Sequence, residues 1–196
     1  MAEQLPAETW HTFVMPSRVE TPRLRLRCYE PADAPVLKAA IDENLEHLLP
    51  WIPWAQFEPT PLEGVVTRIA GFAEQFRNGP NWGFGIFDRD ETTLLGGIGF
   101  HARIGLRALE VGYWLAAAAT GRGFATEAVD ALTRLAFSFP EIDRLEIRCD
   151  PRNVPSAAIP RRLGYRHVAT LEKHSTVFPG EPRDTMVWEL TRQNFL

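Results

Sequence analysis

Glu110-Val-Gly-Tyr-Trp-Leu-Ala-Ala-Ala-Ala-Thr-Gly-Arg-Gly-Phe-Ala-Thr-Glu-Ala128 is the stretch on which the fold turns. Leu109, Val111, Tyr113 and Leu115 alternate with Glu110, Gly112 and Trp114, the period of a strand with two distinct faces. From Ala125 the period lengthens. Ala125, Ala128, Val129, Leu132, Leu135, Ala136 and Phe139 recur at three- and four-residue spacing, one stripe of an amphipathic helix that Pro140 ends. The junction between the two is Thr120-Gly-Arg-Gly-Phe-Ala-Thr126.

Two glycines let the chain turn tightly and approach a ligand without a Cβ in the way. The helix beyond begins with unpaired amides and the positive end of its dipole, which suit an anion such as a pyrophosphate, and Arg122 adds a full charge. The plainer reading is a turn that needs glycine for its geometry and arginine for solubility. A P-loop is excluded because no Lys follows the turn. For a dinucleotide fingerprint Gly121 and Gly123 fit, but Thr126 takes the third glycine place. Asp150, ending the next strand, stands where a ribose-binding acid belongs, yet that fingerprint opens a repeated βαβ series and here a single unit follows.

Outward from the junction, Arg144 to Asp150 alternates with Leu145, Ile147 and Cys149 inside, so the strand–helix–strand unit makes this strand a parallel neighbour of the first. Asn153 to Leu163 reads as a short helix stopped by Gly164. Upstream, Trp82–Phe87, Thr93–Phe100 and Ala108–Leu115 form an antiparallel meander. Arg166–Leu171 and Thr185–Leu190 are two closing strands. Thr21–Tyr29 alternates Leu24, Leu26 and Cys28 with Arg23, Arg25 and Arg27, a strand whose arginine face is either solvated or binds an acidic partner or the leader. Asp33-Ala-Pro35 opens a helix toward Leu45, and Pro59–Arg77 holds another. The fold class is α/β: a mixed, mostly antiparallel central sheet with helices on both faces. Residues 1–20 read as an extended leader and 21–196 as a single domain.

Gly121-Arg-Gly-Phe-Ala125 resembles the acyl-CoA pyrophosphate loop of the GCN5-related N-acetyltransferases, whose pattern is Gln/Arg-x-x-Gly-x-Gly/Ala. Gly123 and Ala125 match, while Thr120 stands where the family usually has Gln or Arg. Thr126-Glu127-Ala128, Glu110-Val-Gly-Tyr113, Thr21-Pro-Arg-Leu-Arg-Leu-Arg27, Trp51-Ile-Pro-Trp54, Asn153-x-x-Ser156 and Leu163-Gly-Tyr165 resemble the branch that acetylates ribosomal-protein N-termini. The resemblance spans roughly residues 20 to 190. It implies that the two parallel strands splay apart at the cofactor, and that acetyl-CoA is the cosubstrate. It also implies cofactor contacts from Trp114, Leu115, Gly121, Arg122 and Gly123, with Phe124, Ala125, Thr126, Asn153 and Ser156 completing the set.

The chain has 196 residues, 45% hydrophobic and 23% charged, with a formal charge of −4. One core is its simplest organisation, and a general basic nucleic-acid surface is not expected. No segment approaches the ~20 apolar residues of a membrane span, and Met1–Phe13 lacks a signal peptide's apolar run, so the expected location is cytoplasmic. Cys28 and Cys149 read as reduced, buried and inert, and five scattered histidines show no metal-ligand spacing. The expected partners are acetyl-CoA, an amine-bearing peptide, protein or small molecule, and a second copy of the chain in a homodimer.

Acyl transfer from a thioester needs a neutral amine, a polarised carbonyl and a proton for the departing sulfur. Glu110 is the leading base, acting directly or through water, or else a surface carboxylate. Many family members have Asn-x-x-Ala-x-x-x-Tyr-x-x-x-Gly-Phe with the tyrosine facing the thiol, and aligning on Asn153 and Gly164 puts Pro160 at that tyrosine. Ser156 takes the alanine's place and either assists the sulfur or caps the helix. Asn153 contacts pantetheine amides or caps. Trp51 and Trp54 form an acceptor wall or plug the core, and His101, Glu172 and His174 are further acceptor-pocket candidates. Amine acetylation, with a peptide N-terminus ahead of a small-molecule amine, competes with a CoA-binding module lacking turnover, to which Thr120 and Pro160 point. Because Pro160 has no N–H, the Ser156 carbonyl loses its helical donor, and the helix is expected to bend there and set the Ser156 hydroxyl.

Overall fold

The computed structural model describes residues 14–79, 81–175 and 182–195. Eight strands form one sheet: β1 (Arg18–Glu20), β2 (Leu24–Arg27), β3 (Asn81–Asp88), β4 (Leu94–His101), β5 (Ala108–Leu115), β6 (Arg144–Cys149), β7 (Arg166–Ser175) and β8 (Arg183–Thr191). Their order is β1-β2-β3-β4-β5-β6-β8-β7. Among the described residues only β5 and β6 pair in parallel, joined by a helical crossover. Residues 1–13 of the expected leader lie outside the described residues, and its last three form β1, the sheet's edge.

Among the described residues six α-helices accompany the sheet: α1 (Ala34–Asp42), α2 (Leu45–Leu48), α3 (Leu62–Asn78), α4 (Phe124–Ser138), α5 (Val154–Arg162) and α6 (Arg192–Phe195). Successive strand residues face opposite ways, so Ile86 and Phe87 report the two sides of the sheet. Ile86 packs with Phe84, Phe100, Val111 and the α4 stripe Ala128, Val129 and Leu132. Phe87 packs with Leu37 and Ile41 of α1 and Val65 and Ile69 of α3. Helices therefore cover both faces. Before α3 the proline-rich run follows α2 and makes a 3-10 turn at Pro53–Phe57.

The arginine face of β2 is paired with acidic groups of the chain. Glu91, in the turn between β3 and β4, accepts from Arg18 at 2.8 Å, Arg25 at 2.7 Å and Arg27 at 2.6 Å. Arg27 also forks onto Asp33 at 2.7 and 2.9 Å, so Asp33 holds an arginine instead of capping α1. Arg23 reaches across to Glu127 of α4 at 2.6 Å. The acidic partner of this face is the chain itself, which ties the first strands to the turn and to α4.

The hydrogen bonds from Arg27 and Arg25 hold the Glu91 carboxyl at about 2, far below the ordinary glutamate value of 4.5. A folded-state pKa below the unfolded one stabilises the fold above pH ~4.5 and ceases to do so as pH falls toward ~2. Glu91→Gln is expected to lower stability at pH 7 by about 1 kcal/mol, since the cluster is only partly shielded from water. Denaturant titrations of wild type and variant should converge between pH 4.5 and 2.5. Parallel curves across that range would show that Glu91 does not carry the coupling.

Candidate active site

The pairing of β5 with β6 stops at Glu110 and Glu146, although both strands run on. Beyond that point they part, and a cleft with a volume of about 80 Å³ opens between them. Val111, Gly112 and Tyr113 of β5 form one wall, while Arg148 and Cys149 of β6 and the following Asp150 form the other. Asn153 and Ser156 of α5 close one end, with Trp51 and Ile52 over the rim. The short segment after α2 is held there by Arg183, which donates to the Pro50 carbonyl and lies 3.7 Å from Asp150.

From the far end of β5 the chain passes through the glycine turn into α4. Gly121 and Gly123 have φ of 71° and 80°, left-handed values that glycine alone adopts without strain. Gly123 is the N-cap of α4 and no side chain caps the helix, so the first amides are left for a ligand. The guanidinium carbons of Arg23 and Arg122 each sit 4.7 Å from the centroid of the Phe124 ring. Arg23 also donates to the Arg122 carbonyl at 3.0 Å. Open amides, a positive dipole end and two arginines fit a pyrophosphate. Ala125 is buried against the core, and the Thr120 hydroxyl donates to the Ala117 carbonyl, which leaves it no free proton to offer an anion.

Glu110 is 6% exposed and is no bare carboxylate: Arg103 forks onto it, with Nε at 2.9 Å. It lies two residues from Gly112 on the same strand face but is not among the cleft-lining residues. His101 sits opposite it in the sheet and bonds Asn81 at 3.1 Å. Burial, and then the Arg103 charge, lower the His101 proton affinity against the pull of Glu110, so the ring is neutral at pH 7. Trp51 lines the cleft, whereas Trp54 packs edge-on against Trp114 at 5.9 Å. Glu172 and His174 are exposed on β7, away from the cleft lining.

At the head of α5 the Asn153 side chain caps the helix, accepting from the Ser156 amide at 3.2 Å. Pro160 lies inside α5, which nevertheless runs on to Arg162. The Ser156 carbonyl that the proline deprives of a donor accepts instead from the Tyr113 hydroxyl at 3.2 Å, and the same hydroxyl is 3.1 Å from Ser156 Oγ. The alternation of β5 points Tyr113 toward α5, but nothing in the sequence shows that it meets Ser156. Burial lifts the Tyr113 hydroxyl above the ordinary tyrosine range, against the Ser156 hydrogen bond, so it stays protonated. Cys149 was expected among inert core residues; it is half-buried and lines the cleft, its thiol kept protonated by burial. Among the described residues no group of three or more His, Cys, Asp or Glu is placed to hold a metal ion.

The family description of the acetyltransferase (GNAT) domain matches residues 23–166. The chain is 28% identical over 176 residues to the ribosomal protein uS5-alanine N-acetyltransferase of Escherichia coli K12, covering 89% of this chain and 90% of that protein. It is 27% identical over 157 residues to the uncharacterized N-acetyltransferase YnaD of Bacillus subtilis 168, covering 79% and 86%. Its fold matches that of RimL, the ribosomal L7/L12 alpha-N-protein acetyltransferase solved with coenzyme A, with a TM-score of 0.80 at 22% identity over 91% of this chain and 98% of that one. A sheet splayed after one parallel pairing, an uncapped glycine-turned helix beside the splay, and a family match over most of the length converge: this chain belongs to the GNAT acetyltransferase family and is an acyltransferase.

Proposed function

We propose that the chain transfers an acetyl group from acetyl-CoA to the α-amine of a protein or peptide N-terminus, ribosomal proteins being the first acceptors to try. The observation that carries this reading is the likeness, across 89% of the chain, to an enzyme named as the alanine N-acetyltransferase of ribosomal protein uS5. The site supports it. The amides of α4 with Arg122 and Arg23 suit the pyrophosphate, and Trp51 and Ile52 give the small cleft an apolar rim for a short first residue. The hydrogen bond from Arg152 keeps Asp150 below the usual aspartate range, and its ion pairs with Arg152 and Arg183 fix that wall of the cleft.

Glu110 acts through water, because Arg103 already occupies its oxygens and Gly112 intervenes, about 6.8 Å along the strand. Ser156 serves the leaving sulfur, since its hydroxyl lines the cleft at the head of α5, on the helix where Pro160 takes the tyrosine's place. Incubation with acetyl-CoA and peptides beginning with Ala or Ser is expected to yield products acetylated on the α-amine, read by fragment mass spectrometry. Peptides beginning with Trp should be poor acceptors. Acetylation of polyamines or aminoglycosides with none of peptides would overturn the acceptor reading. Tight CoA binding with no amine-dependent release of free CoA would overturn transfer altogether.

A further inference from the structure

The Tyr113 hydroxyl has one proton and two acceptors at nearly equal reach, the Ser156 carbonyl at 3.2 Å and Ser156 Oγ at 3.1 Å. A carbonyl can only accept, and this one lacks its helical donor because residue 160 is proline. While the tyrosine donates to the carbonyl, its oxygen can accept from the Ser156 hydroxyl, whose proton is then committed to the tyrosine. When the tyrosine donates to Oγ, the serine proton is free for another acceptor in the cleft that both residues line. A rotation of one O–H bond exchanges the two states and moves no heavy atom.

We propose that Tyr113 is a positioning residue for acyl transfer: its hydroxyl turns from the Ser156 carbonyl to Ser156 Oγ and so presents the serine proton to the leaving sulfur. This rests on the acetyl-transfer reading and assigns Tyr113 and Pro160 parts in it that the family resemblance does not. The neutral acceptor amine adds to the thioester carbonyl, forming the C–N bond and leaving an ammonium on the adduct. As the adduct collapses the carbon–sulfur bond breaks, its electron pair passes to sulfur and the Ser156 O–H donates to that charge. The Tyr113 O–H supports Oγ in turn, and the net proton comes from the acceptor's ammonium. Tyr113 keeps its own proton throughout. Pro160 makes the first state possible, because it leaves the carbonyl open as a resting acceptor that holds the buried hydroxyl within reach of Oγ.

A purely structural reading is that Tyr113 only satisfies a carbonyl orphaned by proline, and the two readings part in a double variant. Tyr113→Phe is expected to lower the melting temperature, to reduce kcat about tenfold with acetyl-CoA and an Ala-initiated peptide, and to leave the KM and calorimetric Kd for acetyl-CoA within twofold. Pro160→Ala supplies an N–H to the carbonyl, so Tyr113→Phe/Pro160→Ala should regain the melting temperature while kcat stays low. Ser156→Ala and Ser156→Ala/Tyr113→Phe should turn over alike, since the tyrosine acts through the serine. Recovery of kcat together with stability in the Phe/Ala double variant would reduce Tyr113 to a cap and overturn the proposal. So would multiplicative losses in the serine pair, or an unchanged kcat in Tyr113→Phe. A silent wild type would instead overturn the acetyl-transfer reading on which the proposal stands.

Discussion

Gly123→Asp is expected to raise the Kd for acetyl-CoA by more than about 100-fold, a loss of at least ~2.7 kcal/mol. Three effects add at this position. The residue is the N-cap of α4 with φ of 80°, so any side chain strains the turn. A Cβ there meets Arg23 Nη2 at 3.4 Å, so a carboxylate would compete with Glu127 for that guanidinium and hold it away from an anion. The same carboxylate would cap the amides that the pyrophosphate requires and repel the anion directly. Gly123→Ala keeps the amides open and should weaken binding far less. Arg122→Ala should cost about 1 kcal/mol, because an exposed charge is screened. Calorimetric titration of the three variants, each first shown to be folded by circular dichroism, gives the ranking. An aspartate variant that binds as tightly as wild type would remove the α4 amides from the binding site.

Gly96→Ala should destabilise the protein by about 3 kcal/mol, the range in which overpacking forces the backbone to move. A Cβ at this position would lie 2.1 Å from the Trp114 carbonyl oxygen and 2.9 Å from the Leu115 Cα, both main-chain atoms of β5. Nothing flexible can yield. The strand that must shift carries Tyr113 and leads into the cofactor turn, so the clash falls on the frame of the cleft. For a chain of this size a loss of that order lowers the melting temperature by roughly 6–12 °C. Gly71→Ala is the matched control: it lies inside α3, a Cβ there meets nothing within 4 Å, and relief of glycine's helical penalty should stabilise by about 0.5–1 kcal/mol. Two Gly→Ala changes of opposite sign, read by thermal melts, separate close packing from backbone entropy. Equal shifts would mean that β4 and β5 relax apart at no cost.

What the sequence alone determined lies in runs of neighbouring residues. The alternation of Ala108–Leu115, the change of period at the glycine turn and the proline that ends α4 are local, and the strand and helix follow them to within a residue or two. The parallel pairing of the strands on either side of α4 follows as well from that strand–helix–strand unit, whereas β2 and β3, also joined through helices, pair antiparallel. Pairings between elements were not legible, because a side chain's partner depends on where the rest of the chain comes to lie. Arg25 and Arg27 alternate on their strand like any solvated face, and only the turn 64 to 66 residues on brings Glu91 against them. Glu110 reads as a free base until the connection between β4 and β5 returns Arg103 to it. The sequence also showed that Pro160 strips the Ser156 carbonyl of its donor, since that is a rule within one helix. That the replacement is the hydroxyl of Tyr113, 43 residues upstream on β5, was decided by the packing of α5 against a splayed sheet.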